Sequence, residues 1–253
     1  MNKIALITGA TSGIGRATAL LFAKNDFDII ITGRRMERLQ KLSKEIQEDY
    51  KIAVLVLNFD VRDNKEVTKN LADLPDKWKN IDVLINNAGL AVGAETIDKG
   101  ELEDWERMID TNIKGLLYVS KIIIPLMIKR NKGHIINLGS IAGKEVYLNG
   151  NVYCATKHAV DALSKAMRID LLPYNIKVTN IAPGMIETEF SIVRYKGDKN
   201  KADSVYNNME PLKAEDIAEV ILFATQRPPH VTLNDIVIMP TAQANTSHTV
   251  RNL

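Results

Sequence analysis

Seven short apolar runs, spread along the whole chain, constrain the fold more than any other feature of the sequence. Most runs are continuously apolar, which is typical of parallel strands with both faces covered. Segments in which apolar residues follow helical spacing lie between them. The runs are residues 4–7, 28–31, 52–57, 82–85, 134–138, 177–181 and 235–239. This alternation predicts one doubly wound α/β domain over residues 1–253, with a seven-stranded parallel sheet and helices on both faces.

Apolar spacing also predicts which helix faces point inward. The three predicted faces are Leu39, Leu42 and Ile46; Trp105, Ile109, Asn112, Leu116 and Val119; and Ala159, Leu163 and Ala166. The longest irregular stretch covers about residues 185–211. Loops of that length in a compact domain are usually functional or mobile, so we predict that this segment is a substrate lid.

Composition argues against several classes of function. The chain has 33 basic and 31 acidic residues and a net charge of +2, without the excess positive charge that nucleic acids or anionic membranes attract. Its single cysteine, Cys154, can form neither an internal disulfide nor a structural zinc site, and we predict no metal. No leader is evident at the N-terminus, and no apolar stretch approaches about 18 uninterrupted residues. We expect a cytoplasmic protein without nucleic-acid or membrane partners.

A glycine-rich turn follows the first apolar run, with the sequence Thr8-Gly9-Ala10-Thr11-Ser12-Gly13-Ile14-Gly15-Arg16. Glycine permits unusual backbone angles and lets a diphosphate approach the main chain. The helix predicted after the turn offers unpaired N–H groups and a positive dipole end. The spacing G-x3-G-x-G differs from the common dinucleotide fingerprint, and a turn without a ligand is the alternative. We predict a dinucleotide site that includes Gly9, Thr11, Ser12, Gly13, Ile14 and Gly15.

The end of the second run indicates which dinucleotide binds. An NAD site usually has Asp or Glu here to bind the ribose 2′-hydroxyl. This chain has Gly33-Arg34-Arg35 instead. Arginine is permanently charged and its planar fork suits phosphate, so Arg34 and Arg35 predict NADP. A solvated basic start of a helix is the alternative.

Two further loops follow predicted strands, where the rest of the dinucleotide would lie. Asp60 and Val61 follow the third run, and the Asp60 carboxylate is a candidate acceptor for the adenine amino group. Asn87, Ala88 and Gly89 follow the fourth run; small residues there let the adenosine ribose pass, and the asparagine can also cap backbone groups.

Tyr153 and Lys157 are four residues apart in a predicted helix and therefore face the same way. Reduction of a ketone needs a proton donor beside the hydride, and a nearby ammonium lowers the pKa of a phenol towards neutrality. Such a pair is frequent by chance, so its meaning depends on its neighbours. Ser140, at the end of the fifth run, is suited to hold the substrate oxygen. Asn112 lies on an apolar helix face, where it needs a hydrogen-bond partner, and it can bend the helix and hold a water that relays protons to Lys157.

Taken together, these residues resemble the short-chain dehydrogenase/reductase family over essentially the whole chain. The matching motifs are Thr8-Gly9-x3-Gly13-x-Gly15, Asn86-Asn87-Ala88-Gly89, Asn112, Ser140, Tyr153-x3-Lys157 and Pro183-Gly184. The resemblance implies a Rossmann-type fold and a catalytic tetrad of Asn112, Ser140, Tyr153 and Lys157. It further implies that Tyr153, Lys157, Pro183, Gly184, Ile186 and Thr188 contact the nicotinamide half of NADP.

A narrower resemblance is to the NADP-dependent 3-hydroxy acid dehydrogenases, a branch that includes malonic semialdehyde reductases. It is carried by segments 33–39, 139–143, 188–198 and 239–243. The branch acts on serine, 3-hydroxyisobutyrate, 3-hydroxypropionate and related acids and is tetrameric. The resemblance therefore implies a homotetramer and a small substrate, an alcohol or aldehyde that bears a carboxylate.

Such a carboxylate needs a partner, and the predicted lid offers Arg194 and Lys196. We predict that Arg194 pairs with it, beside Ser140 and Tyr153; an arginine that merely anchors the lid is the alternative. Val146 and Tyr147 are further candidates to line the pocket. Three other functions stay open: reduction of a different carbonyl such as a 3-oxoacyl thioester, a sugar or a ketone; NADP sensing without turnover; and a scaffold role in an oligomer.

Overall fold

A computed structural model describes residues 2–251 and contains one sheet of seven parallel strands in the order β3-β2-β1-β4-β5-β6-β7. The strands are β1 (Lys3–Ile7), β2 (Phe27–Gly33), β3 (Val54–Asn58), β4 (Ile81–Asn86), β5 (Gly133–Leu138), β6 (Ile176–Pro183) and β7 (Asp235–Ile238). Each predicted run overlaps one strand, so the predicted single-domain, doubly wound architecture is confirmed.

Helices lie between the strands and in the predicted lid. They are α1 (Gly13–Lys24), α2 (Met36–Tyr50), α3 (Asn64–Ala72), α4 (Leu102–Ile109), α5 (Leu116–Lys129), α6 (Asn151–Leu171), α7 (Phe190–Arg194), α8 (Lys199–Ser204) and α9 (Ala214–Thr225). A π-helical segment, Asp110–Gly115, joins α4 to α5. The two short helices α7 and α8 lie within the stretch 185–211.

Side chains of each strand alternate between two cores, one on either face of the sheet. Leu6 and Ile30 pack with α3, α5 and α6 on one face. Ile7 and Ile31 pack with α1, α2 and α9 on the other. Both faces are thus covered by helices, which explains why the strands are continuously apolar.

Three details of the predicted burial are wrong. Ile109, at the end of α4, is 37% exposed rather than inward-facing. On α6 the buried face is Val160, Ser164 and Met167, whereas Ala166 is exposed. Ser164 is buried because its hydroxyl accepts a hydrogen bond from the Asn137 side chain on β5 at 2.9 Å. Val237 on β7 is 48% exposed, because β7 is the last strand of the sheet.

The helix Leu102–Lys129, which combines α4, the π segment and α5, is long and apolar enough by length and composition to cross a membrane. Core helices of soluble proteins pass the same test. Val119, Ile123 and Met127 on this helix are fully buried against the sheet. That packing is the behaviour of a core helix.

The order in which the strands are added to the sheet reverses between β1 and β4, which are neighbours. From β1 the chain moves outward through β2 and β3, and it then returns to the other side of β1. In open α/β sheets ligands bind in the crevice at such a reversal, beyond the carboxyl ends of the strands. The fold therefore places its binding site beyond Ile7 and Asn86.

Candidate active site

A cavity of about 690 Å³ opens at this edge of the sheet. Most of the predicted site residues line it: Gly9, Thr11, Ser12, Gly13, Ile14, Arg34, Arg35, Asp60, Val61, Asn87, Ala88, Gly89, Ser140, Tyr153, Lys157, Pro183, Gly184, Ile186, Thr188 and Arg194. Gly15 and Asn112 are not among the lining residues. Residues from the stretch 185–211 form one wall.

The glycine turn has the backbone that its sequence predicts. Gly9 and Gly13 have φ values of +67° and +50°, in the left-handed region that side chains disfavour. Ser12 precedes α1, and its side chain makes no capping hydrogen bond to the first turn of that helix. The first-turn N–H groups of α1 are thus left for a ligand, and the turn fits the diphosphate of a dinucleotide.

Gly15 lies where the start of α1 packs closely against the glycine turn. A Cβ atom added there would lie 2.5 Å from both the Asn87 side-chain nitrogen and the Gly9 carbonyl oxygen. The helix therefore approaches the turn and the β4 loop more closely than any side chain allows. This packing role does not depend on a cofactor, and the contact of Gly15 with the cofactor stays a prediction.

Thr8 and Asn87 join the glycine turn to the loop after β4. The Thr8 hydroxyl accepts hydrogen bonds from the backbone nitrogens of Asn87 and Ala88, both at 3.0 Å. In return, the Asn87 side chain donates to the Thr8 carbonyl at 2.8 Å. These bonds hold the two cofactor loops in register across the cavity.

Arg35 lies above the glycine turn at one end of the cavity. Its guanidinium donates to the Thr11 hydroxyl at 2.8 Å and to the Ser12 hydroxyl at 2.8 Å. It also pairs with Glu189, which in turn accepts from Arg38 at 2.7 Å. Burial opposes the charge on Glu189, but the hydrogen bonds from Arg38 and Arg35 outweigh it and lower the pKa of that carboxyl.

Arg34 and Asp60 face each other at the same end, with Arg34 Nη1 3.7 Å from Asp60 Oδ2. Arg62, which sequence reasoning missed, donates to Asp60 Oδ2 at 2.7 Å. Burial would raise the pKa of Asp60, but hydrogen bonds from Arg62 outweigh burial and lower it. Asp60 is therefore an ionised acceptor that is already engaged by a neighbouring arginine.

At the other end of the cavity, α6 carries Tyr153 and Lys157. The Lys157 ammonium donates to the Leu138 carbonyl at 2.7 Å and lies 6.0 Å from the centre of the Tyr153 ring. Burial lowers the pKa of Lys157 to about 8.

The expected lowering of the Tyr153 pKa is not found. Burial raises this pKa above its ordinary value, and the Tyr147 hydroxyl acts in the same direction. Ser140 and Arg194 act in the opposite sense but do not outweigh burial. The Lys157 ammonium, which is bonded to the Leu138 carbonyl, is not among the main groups that shift this pKa. Tyr153 is thus a protonated phenol, ready to donate.

Ser140 lies just beyond β5, beside Tyr153. Its hydroxyl accepts a hydrogen bond from the Ala142 nitrogen at 3.1 Å, and it faces the Pro183 carbonyl at 3.4 Å. The serine is thus fixed by the short turn that follows it, Ile141–Gly143. Because it also lowers the pKa of Tyr153, its hydroxyl shares the phenol's side of the cavity.

Asn112 lies in the π-helical segment, which is the irregularity that the sequence predicts at this position. Its side chain is buried and accepts from the Leu90 nitrogen at 2.8 Å. It donates to the Leu90 carbonyl at 2.8 Å and to the Thr156 hydroxyl at 3.0 Å. All of these partners are protein groups, so the side chain of Asn112 connects the β4 loop to α6 and does not itself face the cavity.

Arg194 ends α7 and reaches the Tyr147 hydroxyl, to which its Nη1 donates at 2.8 Å. Its guanidinium also lies 5.2 Å from the centre of the Tyr147 ring. Among residues 2–251, its buried Nε has no hydrogen-bond partner. Nε is sealed from the cavity, whereas Nη2 is not and has no hydrogen-bond partner among residues 2–251. A guanidinium with a spare donor, in the cavity that Tyr153 and Ser140 also line, is suited to bind an anion.

The other two candidates near Arg194 are placed elsewhere. Lys196 pairs with Asp104 at 2.6 Å, outside the cavity. Val146 is 71% exposed and points away from the pocket that Tyr147 lines. Lys196 diverges from Arg194 because α7 ends at Arg194 and Lys196 has a left-handed φ of +53°.

Several contributors carry no clear signal in the sequence. Phe190 packs edge-on against Tyr153, with ring centres 5.6 Å apart. Tyr206 donates to the Ile186 carbonyl at 2.6 Å and lies 2.6 Å from the Ser191 hydroxyl, which fixes the segment 185–211 internally. Gln243 accepts from the Met185 nitrogen at 2.8 Å, so the C-terminal segment supports the start of that segment. Phe190 and Gln243 lie in segments that carry the narrower resemblance, whereas Tyr206 does not.

The fold and this arrangement of a glycine turn, a buried lysine and an adjacent tyrosine define a dinucleotide-dependent oxidoreductase. The chain belongs to the short chain dehydrogenase family, whose profile matches residues 3–199.

Relatives cover nearly the whole chain. It is 47% identical over 242 residues to the NADP-dependent 3-hydroxy acid dehydrogenase YdfG of Salmonella typhi, covering 95% of this chain and 96% of the relative. It is 44% identical over 245 residues to sulfoacetaldehyde reductase 2 of Chromohalobacter salexigens, covering 96% of each. Among solved structures it is similar to the closed form of serine dehydrogenase complexed with NADP+, with a TM-score of 0.92 and 43% identity over 99% of this chain and 100% of the other.

Proposed function

We propose that this protein transfers a hydride between NADP(H) and a small 3-hydroxy acid, of the serine, 3-hydroxyisobutyrate or 3-hydroxypropionate type, or the corresponding semialdehyde or 3-oxo acid. One observation carries the proposal. A single cavity has Arg35 above the glycine turn at one end, and Tyr153, Lys157 and Arg194 at the other. The names of the 3-hydroxy acid dehydrogenase and serine dehydrogenase relatives agree with it.

The phosphate end of the cavity would hold the adenosine half of NADP. The left-handed turn at Gly9 and Gly13 brings the backbone next to the diphosphate. Arg34 and Arg35 bind the 2′-phosphate, since Gly33 leaves no carboxylate of its own to repel it. Asp60 and Val61 lie beside the adenine, and residues Asn87, Ala88 and Gly89 border the ribose.

The reacting end would hold the nicotinamide half, against Pro183, Gly184, Ile186 and Thr188. When bound, the nicotinamide supplies or accepts the hydride. Lys157, whose ammonium has only the Leu138 carbonyl as its hydrogen-bond acceptor among residues 2–251, binds the ribose hydroxyls next to it. The side chain of Asn112 is a positioning group that fixes Leu90 and Thr156 around this lysine.

Tyr153 is the general acid in reduction and the general base in oxidation. Burial keeps its phenol protonated, which suits donation to a carbonyl oxygen. The Ser140 hydroxyl holds that oxygen beside the phenol as charge develops on it. The positive charge of Lys157 stabilises the phenolate that is left after the proton has moved.

Arg194, which lines the cavity and has no partner for Nη2 among residues 2–251, binds the substrate carboxylate. Residues 185–211 act as the lid, with α7 bringing Phe190 and Arg194 over Tyr153. We further propose a cytoplasmic homotetramer. Exposed apolar side chains on α4, α5 and α6, such as Leu102 at 69% and Ile169 at 75%, support interfaces between subunits.

A sulfonate is a second candidate for the anionic group. Arg194 would bind it with the same donors, and one relative is named a sulfoacetaldehyde reductase. Other carbonyl substrates, such as 3-oxoacyl thioesters, sugars or ketones, leave the spare donor of Arg194 unused. A sensor without turnover leaves the Tyr153 and Lys157 pair without a role.

The test is an absorbance assay at 340 nm with NADP+ and a matched series of alcohols. The series contains L-serine, D-serine, 3-hydroxyisobutyrate, 3-hydroxypropionate, isethionate and the uncharged amide of 3-hydroxypropionate. We expect kcat/KM to be highest for a carboxylate. A preference for the amide would refute the proposed substrate class, and a preference for isethionate would reassign it to sulfonates.

A further inference from the structure

A carboxylate from the lid lies against the arginines at the phosphate end of the cavity, and the mechanism above makes no use of it. Glu189 Oε2 accepts from Arg35 Nη1 at 2.9 Å, and Glu189 Oε1 accepts from Arg38 Nη1 at 2.7 Å. Glu189 lines the same cavity as Arg35. Both oxygens of a negative side chain are thus engaged by cations at the end that would receive a phosphate.

The other contacts of Arg35 differ in kind from this one. Its Nε and Nη2 donate to the Thr11 hydroxyl at 3.1 and 2.8 Å, and its Nη2 donates to the Ser12 hydroxyl at 2.8 Å. Hydroxyl groups are neutral, and they can turn to donate to a phosphate. An ionised carboxylate accepts only, and it repels a second anion that approaches the same guanidinium.

We propose that Glu189 sets the affinity for NADP as an internal counter-anion of Arg35 and Arg38, which the 2′-phosphate displaces. The inference rests on the proposed assignment of Arg34 and Arg35 to that phosphate. A phosphate monoester carries between one and two negative charges near neutral pH, so the Glu189 carboxylate repels the 2′-phosphate of NADP. NAD has a hydroxyl at this position and leaves the Glu189 pairs in place. Glu189 therefore weakens binding of the phosphorylated cofactor selectively.

Binding of two nucleotide fragments tests this without reference to catalysis. Adenosine 2′,5′-bisphosphate carries the 2′-phosphate and 5′-AMP lacks it. Each is titrated by calorimetry into the full-length wild type and into Glu189→Gln, which removes the charge and keeps the shape. Glu187→Gln is the matched control, because Glu187 is exposed, two residues away and outside the cavity lining.

Removal of one charge a few ångströms from the phosphate is expected to tighten binding of the bisphosphate about three- to tenfold. Binding of 5′-AMP should change less than about twofold, and Glu187→Gln should bind both as the wild type does. The gain should shrink at high salt, since these groups are solvent-accessible. Glu189→Ala should reproduce the gain, and circular dichroism verifies that each variant is folded.

Three results would overturn the inference. Unchanged binding of the bisphosphate by Glu189→Gln means that the carboxylate does not compete with the phosphate. Weaker binding means that Glu189 orients Arg35 for the phosphate instead. Equal binding of both fragments by the wild type refutes the 2′-phosphate assignment itself, and the inference with it, whereas the first two results leave that assignment intact.

Discussion

Replacement of Arg194 by methionine removes the proposed carboxylate-binding group and keeps much of its length. Arg194 gives one hydrogen bond, from Nη1 to the Tyr147 hydroxyl, and its Nη2 has no partner within residues 2–251. A carboxylate that binds here gains a charge-assisted hydrogen bond from Nη2 of this largely buried guanidinium. The substitution should therefore affect acidic substrates far more than uncharged ones.

The size of the effect follows from the kind of bond. A hydrogen bond to a charged group contributes about 1.5–3 kcal/mol. Loss of 2–3 kcal/mol from the transition state corresponds to a fall of roughly 30- to 160-fold in kcat/KM. If the carboxylate is held equally in ground and transition states, most of the loss appears in KM.

The assay compares 3-hydroxypropionate with its uncharged amide in wild type and Arg194→Met, with NADP+ saturating. Arg194→Lys keeps the charge but loses the planar fork, so it should recover part of the activity on the acid. Lys196→Met is the matched control, because Lys196 pairs with Asp104 outside the cavity. It should change kcat/KM for either substrate by less than about twofold.

Equal losses on the acid and the amide would refute this reasoning. They would mean that Arg194 only anchors the lid through Tyr147 and does not bind the substrate carboxylate. Tyr147→Phe separates these roles further, since it removes the lid contact and leaves the guanidinium in place. It should spare the preference for the acid over the amide.

Three further outcomes follow from the geometry. Because burial lowers the pKa of Lys157 from 10.5 to about 8, the unfolded state binds more protons at this lysine between these values, so Lys157 should add about 3 kcal/mol to the free energy of unfolding of the cofactor-free protein from pH 8 to pH 10.5. Buried tyrosines with a raised pKa, such as Tyr153, act in the opposite direction, so the contribution is read from urea titrations as the difference between wild type and Lys157→Met. The same pH dependence in both proteins would contradict the assignment. Asn112→Ala leaves the buried nitrogen and carbonyl of Leu90 unpaired and should cost about 3 kcal/mol in the same assay; a loss below about 1 kcal/mol would argue against this role. Arg35→Met should lower kcat/KM with NADP+ by roughly tenfold or more and leave that with NAD+ nearly unchanged, whereas equal losses would oppose the 2′-phosphate assignment.

The strands were predictable because a sheet covered on both faces demands continuous apolar runs, and few other structures do. The inward face of α6 could not be predicted from the sequence. Ser164 is buried there because Asn137 on β5 supplies a partner, and no local pattern encodes that pairing. A hydroxyl with a tertiary partner can occupy a core position that apolar spacing assigns to alanine or leucine.

Some residues of the site were likewise predictable from the sequence, and others were not. The glycine turn was predictable because it depends on neighbours within one short stretch of chain. Tyr153 and Lys157 were predictable only together with Ser140 and Asn112, since the spacing of four residues is frequent by chance. Glu189 was not predictable, since its partner Arg35 is 154 residues away along the chain. The direction of the Tyr153 pKa was mispredicted for a related reason. The spacing of four residues shows that Lys157 faces the same way, but it does not show that burial dominates or that the ammonium is engaged by Leu138.

The most direct test of the central claim is the rate of hydride transfer in Tyr153→Phe. Stopped-flow absorbance at 340 nm follows formation of NADPH from NADP+ and the best 3-hydroxy acid, and calorimetry measures NADP+ binding separately. Removal of a general base should slow transfer by roughly 10²- to 10⁴-fold, while the affinity for NADP+ stays within about threefold. A variant that transfers hydride at close to the wild-type rate would contradict the assignment of Tyr153 as the proton donor and acceptor.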